Sequence, residues 1–151
     1  KGDFVEVGVW QGKSLSYLAI NNPERRIWGV DTFLGDPENV NEQNLIKGNN
    51  LNLQLNTRNN LSKLNIKNAY LCITDSVKAT ERFKDDSLAF VFIDAGHSYN
   101  QVCKDIQAWL PKIKKGGYIA GHDFDAQGVR KAVEENIEYF EIMGNCWFKK
   151  L

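Results

Sequence analysis

The sequence predicts an α/β protein built on a doubly wound sheet of seven strands, parallel except at its C-terminal edge. Short apolar segments alternate along the chain with segments of helical periodicity, which is the pattern of parallel strands joined by helices. Residues 88–93 are apolar at every position, as expected for a strand covered on both faces. Near the C-terminus, Gly144 and Asn145 separate two strand-like runs, a pattern typical of a hairpin whose strands are antiparallel.

The first half of the chain contains three predicted strands, at Phe4–Val7, Ile27–Val30 and Ala69–Ile73, with a helix over Ser14–Ile20. Between residues 37 and 64 asparagine is frequent, and the leucines fit both a strand and a helix. We predict a loop followed by a helix there. Two interpretations of this segment are open: a lid or substrate loop over a binding site, and a surface insertion without a role.

The second half continues the alternation. A short helix is predicted around residues 77–83, before the strand at 88–93. Ser98 and Gln101 form a capping box, which predicts the start of the next helix. A strand is predicted at Tyr118–Ala120, after Gly116-Gly117, and a helix around Val129–Ile137. The hairpin is predicted to consist of Tyr139–Met143 and Cys146–Lys149.

The composition argues against several kinds of partner. Nineteen basic residues balance nineteen acidic ones, so no overall field attracts nucleic acid or a membrane, and we expect neither as a partner. The three cysteines, Cys72, Cys103 and Cys146, lie in apolar surroundings and predict buried, reduced thiols in a cytoplasmic protein. At 151 residues we expect one domain. A truncation at the N-terminus and a homo-oligomer are both left open.

Polar residues follow each of the first five predicted strands, at the edge of the sheet where doubly wound proteins bind ligands. In chain order, these residues are Glu6 and Gly8, Asp31 and Thr32, Asp75 and Ser76, Asp94 and His97, and His122 and Asp123. Every strand end therefore carries a carboxylate. Carboxylates gathered at one edge repel each other unless a cation or a hydroxyl-rich ligand satisfies them. This pattern predicts a ligand site rather than five independent helix caps.

The turn after the first strand has Gly8 and Gly12 with Trp10 between them. A dinucleotide fingerprint needs Gly-x-Gly-x-x-Gly so that the backbone can approach a pyrophosphate, and Trp10 would block that approach. An acidic residue at the second strand end, here Asp31, is how an open α/β sheet binds a nucleoside. We therefore expect a nucleoside-containing ligand without a pyrophosphate. An NAD(P)- or nucleotide-sugar-binding oxidoreductase and a non-catalytic binding domain remain as alternatives.

Three blocks of sequence resemble the class I S-adenosylmethionine-dependent methyltransferases. They are Glu6-x-Gly8-x-x-x-Gly12 with Asp31, the segment Phe92-Ile-Asp-Ala-Gly-His-Ser-Tyr99, and Gly116-Gly117 with His122-Asp123. The resemblance covers nearly the whole chain and is to the metal-dependent small-molecule and sugar O-methyltransferases, including those acting on macrolide sugars. It implies one S-adenosylmethionine-binding domain over residues 1–151, with a Rossmann-like sheet. The implied activity is methylation of a hydroxyl on a sugar or another small molecule.

The resemblance also implies a role for each site residue. The residues implied to bind the methyl donor are Glu6, Gly8, Trp10, Gly12, Ser14, Asp31, Thr32, Phe33, Asp75, Ser76 and Asp94. Glu6 would attract the donor's ammonium and Asp31 both ribose hydroxyls, so we expect Asp31→Ala to weaken donor binding with little effect on the fold. Asp75 and Ser76 would flank the adenine.

The catalytic residues implied by the resemblance are His97, as general base, and Asp94. A Mg²⁺ or Mn²⁺ ion would be held by Asp94, His122 and Asp123. Because histidine suits other divalent metals better than Mg²⁺, the metal requirement stays open, and His122 is the alternative base.

Overall fold

The computed structural model describes residues 2–36, 38–48 and 52–151. Within them, seven strands form one sheet in the order β3-β2-β1-β4-β5-β7-β6. The strands are β1 (Phe4–Val7), β2 (Ile27–Asp31), β3 (Ala69–Ile73), β4 (Leu88–Ile93), β5 (Ile113–Gly121), β6 (Glu141–Met143) and β7 (Cys146–Lys150). Strands β1 to β5 run parallel to one another, whereas β7 pairs antiparallel with β5 and β6. The predicted doubly wound sheet with an antiparallel C-terminal edge is confirmed.

Six helices connect the strands of the described residues. They are α1 (Lys13–Asn21), α2 (Val40–Gly48), α3 (Leu53–Lys63), α4 (Ser76–Ala79), α5 (Tyr99–Trp109) and α6 (Gln127–Asn136), and a 3₁₀ turn follows each of α4 and α5. Their apolar residues form two hydrophobic clusters. Leu15 of α1 and Leu53 of α3 belong to the smaller cluster. The larger one contains Trp109 of α5 and Val133 of α6. The predicted helical periodicities correspond to these buried residues.

The central position of β1 brings the candidate residues together. Val7 pairs with Val30 of β2 and with Ile93 of β4, so the carboxyl ends of these three strands lie side by side. Beyond the paired residues, Gly8 N donates to Val30 O at 2.9 Å and Asp94 N to Val7 O at 2.7 Å. The loops that carry the glycine turn, the second-strand acid and the fourth-strand acid therefore share one edge of the sheet.

The prediction of a loop over the first part of residues 37–64 was wrong, because α2 and α3 occupy most of this segment. Its asparagines were interpreted as loop residues, but two of them cap helices. Asn39 Oδ1 accepts a hydrogen bond from Glu42 N at 3.1 Å, and Asn52 Oδ1 accepts one from Leu55 N at 2.9 Å. Asparagine at these positions satisfies the free N–H groups of a first helical turn. Residues 37 and 49–51 lie outside the described part of the chain.

Two predicted strand limits were also wrong. Strand β5 begins at Ile113 rather than Tyr118, because Gly116 and Gly117 lie inside the strand, where the pairing with β4 shifts register. Gly116 has a φ of 77°, which glycine adopts without steric cost. The hairpin strand β6 begins at Glu141 rather than Tyr139, which has a left-handed φ of 50° that a strand does not accommodate.

All three cysteines are free, and Cys72 is buried, as predicted. Cys103 and Cys146 are only half-buried, so the prediction of buried thiols was wrong for these two. Across the described ranges, no helix has the length and apolar character needed to cross a membrane.

Candidate active site

A cleft of about 540 Å³ opens at the carboxyl ends of β1 to β4. Nine of the residues predicted from the sequence line it: Gly8, Trp10, Asp31, Thr32, Asp75, Ser76, Asp94, His97 and Asp123. The other predicted site residues lie outside its lining, and these are Glu6, Gly12, Ser14, Phe33 and His122. Phe33 is 8% exposed and packs in the smaller hydrophobic cluster, so its contacts in this structure are those of a core residue.

Sequence reasoning missed several polar residues of the cleft. Asp36 and Glu42 come from the segment around the start of α2, and Gln101, Lys104 and Asp105 come from α5. The three α5 residues are spaced three and four positions apart, which places them on one helix face. Their spacing was a usable signal, but Gln101 was interpreted only as a capping residue. Gln101 Nε2 donates to Asp36 Oδ1 at 3.2 Å and so joins α5 to the segment before α2.

The lining of the cleft is strongly acidic. Among the described residues it contains seven carboxylates and one lysine, which is Lys104. The carboxylates are Asp31, Asp36, Glu42, Asp75, Asp94, Asp105 and Asp123. A field of this sign attracts cationic ligands and repels phosphates. The cleft is therefore unsuited to the pyrophosphate of a dinucleotide, in agreement with the prediction from the glycine spacing.

The two glycines of the first turn are required by the packing of the backbone itself. A Cβ atom on Gly8, whose φ is 88°, would lie 1.9 Å from the carbonyl oxygen of Asp94. A Cβ atom on Gly12, whose φ is 80°, would lie 2.9 Å from Thr57 Cγ2 on α3. The first glycine thus allows the ends of β1 and β4 to meet, and the second allows α3 to pack on the start of α1. Their presence alone is not evidence for a ligand.

The Asp31 carboxylate organises the glycine turn. Its Oδ2 accepts hydrogen bonds from Val9 N at 2.7 Å and Trp10 N at 2.9 Å, and its Oδ1 accepts one from Phe33 N at 2.7 Å. A carboxylate has about four acceptor positions, so roughly one is left to face the cleft. Asp31 therefore has room for one hydroxyl of a ribose rather than for the two that we expected.

This geometry corrects the expectation that loss of Asp31 would spare the fold. Asp31→Ala removes the acceptor of three backbone N–H groups, so we expect the free energy of unfolding to fall by about 2–4 kcal/mol. The loss should be visible in urea unfolding without any ligand. Thr32→Ala is the matched control, since the Thr32 side chain accepts only one long bond, from Leu34 N at 3.3 Å. Equal stabilities of the two variants would contradict the role of Asp31 in the turn.

Glu6 is a buried carboxyl group at the base of this turn. Its side chain is fully buried in β1, and it accepts a hydrogen bond from the Ser14 hydroxyl through Oε1. Its Oε2 atom has no hydrogen-bond partner among the described residues. Burial raises the pKa of Glu6 to about 8, the Ser14 hydrogen bond opposes this rise, and the charges of Asp94 and Asp31 add to it. A cation placed near Glu6 would relieve this unfavourable environment.

The second group of polar residues surrounds Asp123, which follows β5 and has a left-handed φ of 57°. His97 Nε2 lies 2.7 Å from Asp123 Oδ2, and His122 Nδ1 lies 3.0 Å from Asp123 Oδ1. Asp94 Oδ1 is 3.7 Å from His122 Nδ1. Burial is the largest cause of a raised pKa at Asp94, the neighbouring His122 lowers it, and Asp123 raises it further. Both histidines therefore contact the same carboxylate, as expected for adjacent strand ends.

Part of this group has the composition of a metal site. Asp94, His97 and Asp123 each offer one ligand atom, and these atoms lie within 4.8 Å of one another. The group contains His97 where the sequence prediction had His122. Two carboxylate oxygens and one imidazole nitrogen are ligands that suit Mn²⁺, Fe²⁺ or Zn²⁺ better than Mg²⁺. The side chains present therefore fit a divalent transition metal.

Comparison with known proteins identifies a methyltransferase domain in this chain. A family model described as a methyltransferase domain matches residues 5–124. A 4'-O-methyltransferase of Streptomyces olivaceus, which acts on 8-demethyl-8-(2,3-dimethoxy-alpha-L-rhamnosyl)-tetracenomycin-C, is 24% identical over 153 residues, covering 89% of this chain and 57% of that protein. The chain spans about half the length of the curated relatives it matches.

Solved structures share the fold. The O-methyltransferase NovP superposes with a TM-score of 0.76 at 19% identity, covering 99% of this chain and 72% of NovP. A putative methyltransferase from Streptococcus mutans, solved in complex with SAH (S-adenosylhomocysteine), superposes with a TM-score of 0.67 at 12% identity, covering 98% of this chain and 87% of that one. At these identities the likeness concerns the arrangement of the sheet and helices.

Proposed function

The chain belongs to the methyltransferase-domain family, and from that premise we propose that it is an S-adenosylmethionine-dependent O-methyltransferase. Its acceptor is a hydroxyl group of a sugar or another small molecule. The observation that carries the proposal is the acidic cleft, which is lined by the His97–Asp123 pair and lies at the end of the strand that contains the buried, incompletely bonded Glu6. The Streptomyces relative and NovP are both O-methyltransferases, which supports the choice of an oxygen acceptor.

The charges of the donor match those of the cleft. S-adenosylmethionine carries a sulfonium and an ammonium, and it contains no phosphate. Glu6 provides an acceptor for the ammonium, and Asp31 has one free position for a ribose hydroxyl. A nicotinamide dinucleotide would place its pyrophosphate among seven carboxylates, which disfavours the oxidoreductase alternative.

The chemical step needs little from the protein besides positioning and a base, because the sulfonium is already an activated methyl donor. The acceptor oxygen attacks the methyl carbon, the carbon–sulfur bond breaks with its electron pair remaining on sulfur, and the acceptor proton passes to His97. If His97 Nε2–H donates to Asp123, His97 Nδ1 is left free to accept that proton. Asp123 then holds the ring in the correct tautomer and stabilises the imidazolium.

As the alternative to a role of His97 as base, we propose that Asp94, His97 and Asp123 bind a divalent ion, with Mn²⁺ as the best fit among the ions expected. Such an ion supplies Lewis acidity, which lowers the pKa of an acceptor hydroxyl. The predicted cytoplasmic location and single domain over residues 1–151 remain part of the proposal. Free cysteines support a reducing compartment.

The first test is calorimetric titration with SAH, in the presence and absence of Mg²⁺ and Mn²⁺, with NADH as the control ligand. We expect a dissociation constant in the micromolar range for SAH and no measurable binding of NADH, because only NADH carries a pyrophosphate. Titration with Mn²⁺ alone measures the proposed metal site independently. Binding of NADH in preference to SAH would overturn the proposed function.

A further inference from the structure

The turn of the β6–β7 hairpin lies against the loop that carries Asp123. Strand β7 runs antiparallel to β5 and Trp147 pairs with Gly121, so the residues just before β7 lie next to those just after β5. Asn145 makes the contact, because its backbone oxygen accepts a hydrogen bond from Phe124 N at 3.1 Å. The sequence prediction used Asn145 only as a turn residue, but the structure places it beside a carboxylate of the cleft.

The half-buried side chain of Asn145 faces this loop in a defined orientation. Its Oδ1 accepts a hydrogen bond from Asp125 N at 2.9 Å, and its Nδ2 donates to Asp123 Oδ1 at 3.3 Å. A backbone N–H can only donate, so the amide oxygen must face Asp125 and the NH₂ group must face Asp123. Asn145 therefore presents a fixed donor to the Asp123 carboxylate.

Asp123 needs support from its surroundings, because its backbone has a left-handed φ of 57°. A residue with a side chain keeps such a conformation only where neighbouring contacts hold it. Asn145 accepts hydrogen bonds from the backbone N–H groups of Phe124 and Asp125, which follow directly. The hairpin turn therefore holds both the backbone and the carboxylate of this loop.

Three side chains share the two oxygens of Asp123. Asn145 Nδ2 and His122 Nδ1 contact Oδ1, at 3.3 Å and 3.0 Å, whereas His97 Nε2 contacts Oδ2 at 2.7 Å. Whether each imidazole nitrogen donates depends on the tautomer, but the Asn145 amide is always a donor. The terminal torsion of aspartate is broad, so a fixed donor on one oxygen also fixes the direction of the other. Oδ2 is thereby kept directed at His97.

We propose that Asn145 is a positioning residue, which holds Asp123 so that its Oδ2 accepts the Nε2–H of His97. Asn145 lies outside the lining of the cleft, so it acts through Asp123 rather than on the substrate. The proposal rests on the proposed function with His97 as the base. His97 Nδ1 can take the acceptor proton only while the other ring proton is on Nε2, and Asn145 favours that tautomer.

The test is Asn145→Asp, which exchanges one NH₂ group for an oxygen. The variant keeps an acceptor for Asp125 N and the backbone bond to Phe124 N, but it places a second carboxylate beside Asp123 in place of the donor. With a sugar acceptor that the wild type methylates, we expect the single-turnover rate to fall about 10–100-fold. The dissociation constant of SAH should change less than about twofold. Asn145→Ala also lacks the donor and should lose a similar factor in rate.

A spectroscopic readout separates positioning from stability of the loop. The chain has two histidines, so their ring ¹⁵N shifts can be read through the carbon-bound protons and assigned with His97→Ala. With neutral rings and no metal, we expect wild-type His97 to be in the Nε2–H tautomer. In both Asn145 variants its shifts should move towards those of free imidazole, which populates both tautomers. Met143→Ala is the matched control in the same turn, since Met143 is exposed and pairs with Cys146, and it should keep the wild-type shifts and rate.

Unchanged His97 shifts in a folded Asn145 variant would overturn the positioning role and leave the proposed function intact. Lower stability with unchanged shifts would show that Asn145 only anchors the loop, which overturns the role as well. If Asn145→Asp does not fold, the shifts of Asn145→Ala decide. Failure of the wild-type protein to bind SAH would instead overturn the proposed function, while the ring shifts would still test the contact between Asn145 and Asp123.

Discussion

Replacing His97 by alanine should lower kcat for methyl transfer by about 10²–10⁴-fold, while the dissociation constant of SAH changes less than about twofold. The expectation follows from the position of the side chain. His97 lines the cleft, is 46% exposed, and is oriented by Asp123 at 2.7 Å, so an acceptor can reach it. Loss of the base leaves the donor contacts at Glu6 and Asp31 unchanged. The measurement is single-turnover kinetics with a sugar acceptor, alongside SAH calorimetry.

Two comparisons separate the possible roles of His97. Asn100→Ala, an exposed change three residues away, controls for disturbance of the first turn of α5 and should retain wild-type turnover. Titration of Mn²⁺ into His97→Ala then distinguishes a base from a ligand. A base alone predicts unchanged Mn²⁺ affinity, whereas a ligand predicts a large loss of Mn²⁺ binding. If His97→Ala abolished SAH binding instead, the assignment of His97 as the base would be wrong.

The strand ends of this protein were predictable because two strong signals coincide there. Buried parallel strands appear as continuous apolar runs, and the polar residues that follow them are forced to one edge of the sheet by topology. Asp94 and Asp123 could be placed together on this basis, although they are far apart in sequence. The pairing of β1 with β4, and of β4 with β5, then brings them within ligand distance.

The contributions of α2 and α5 were not predictable in the same way. Asn39 and Asn52 have low helix propensity, and only the hydrogen bonds to Glu42 N and Leu55 N show that they begin helices. Asp105 lies in the middle of an amphipathic helix, where a charged residue is usually assigned to the solvated face. Its spacing from Gln101 predicts only that the two residues share a helix face, whereas its burial depends on the approach of α4, which places Ser76 beside it.

Glu6 shows a different limit of sequence reasoning, because its residue type was recognised but its protonation could not be. A carboxylate that binds an ammonium was expected to be charged, whereas burial raises the pKa of Glu6 to about 8 and so keeps it protonated at neutral pH in the free protein. Binding of an ammonium beside it would lower that pKa again. We therefore expect SAH binding at pH 7 to release a proton, which calorimetry in buffers of different ionisation enthalpy can measure.

Glu6→Gln should make the protein markedly more stable in alkaline solution while weakening SAH binding. Between the unfolded pKa of about 4.5 and the folded pKa of about 8, the folded chain holds a proton that the unfolded chain has released. Its free energy of unfolding therefore falls as the pH rises through this window, by an amount on the order of 5 kcal/mol. Glutamine does not titrate, so in the variant this contribution to the slope disappears. The two proteins should have similar stability near pH 4, and the variant should be more stable at pH 9.

Urea unfolding from pH 6.5 to 9 isolates the contribution of Glu6. Asp105, whose pKa is raised to about 6, changes the free energy of unfolding mainly below pH 6.5. Ser14→Ala is the matched control, because it removes the one hydrogen bond to Glu6 but keeps the ionisable group. That bond lowers the pKa of Glu6, so its loss should steepen the alkaline slope rather than abolish it. Equal slopes for the wild type and Glu6→Gln would show that Glu6 is already ionised in the folded protein. If Glu6→Gln is instead more stable and no longer releases a proton on binding SAH, then Glu6 favours donor binding and lowers the stability of the folded protein.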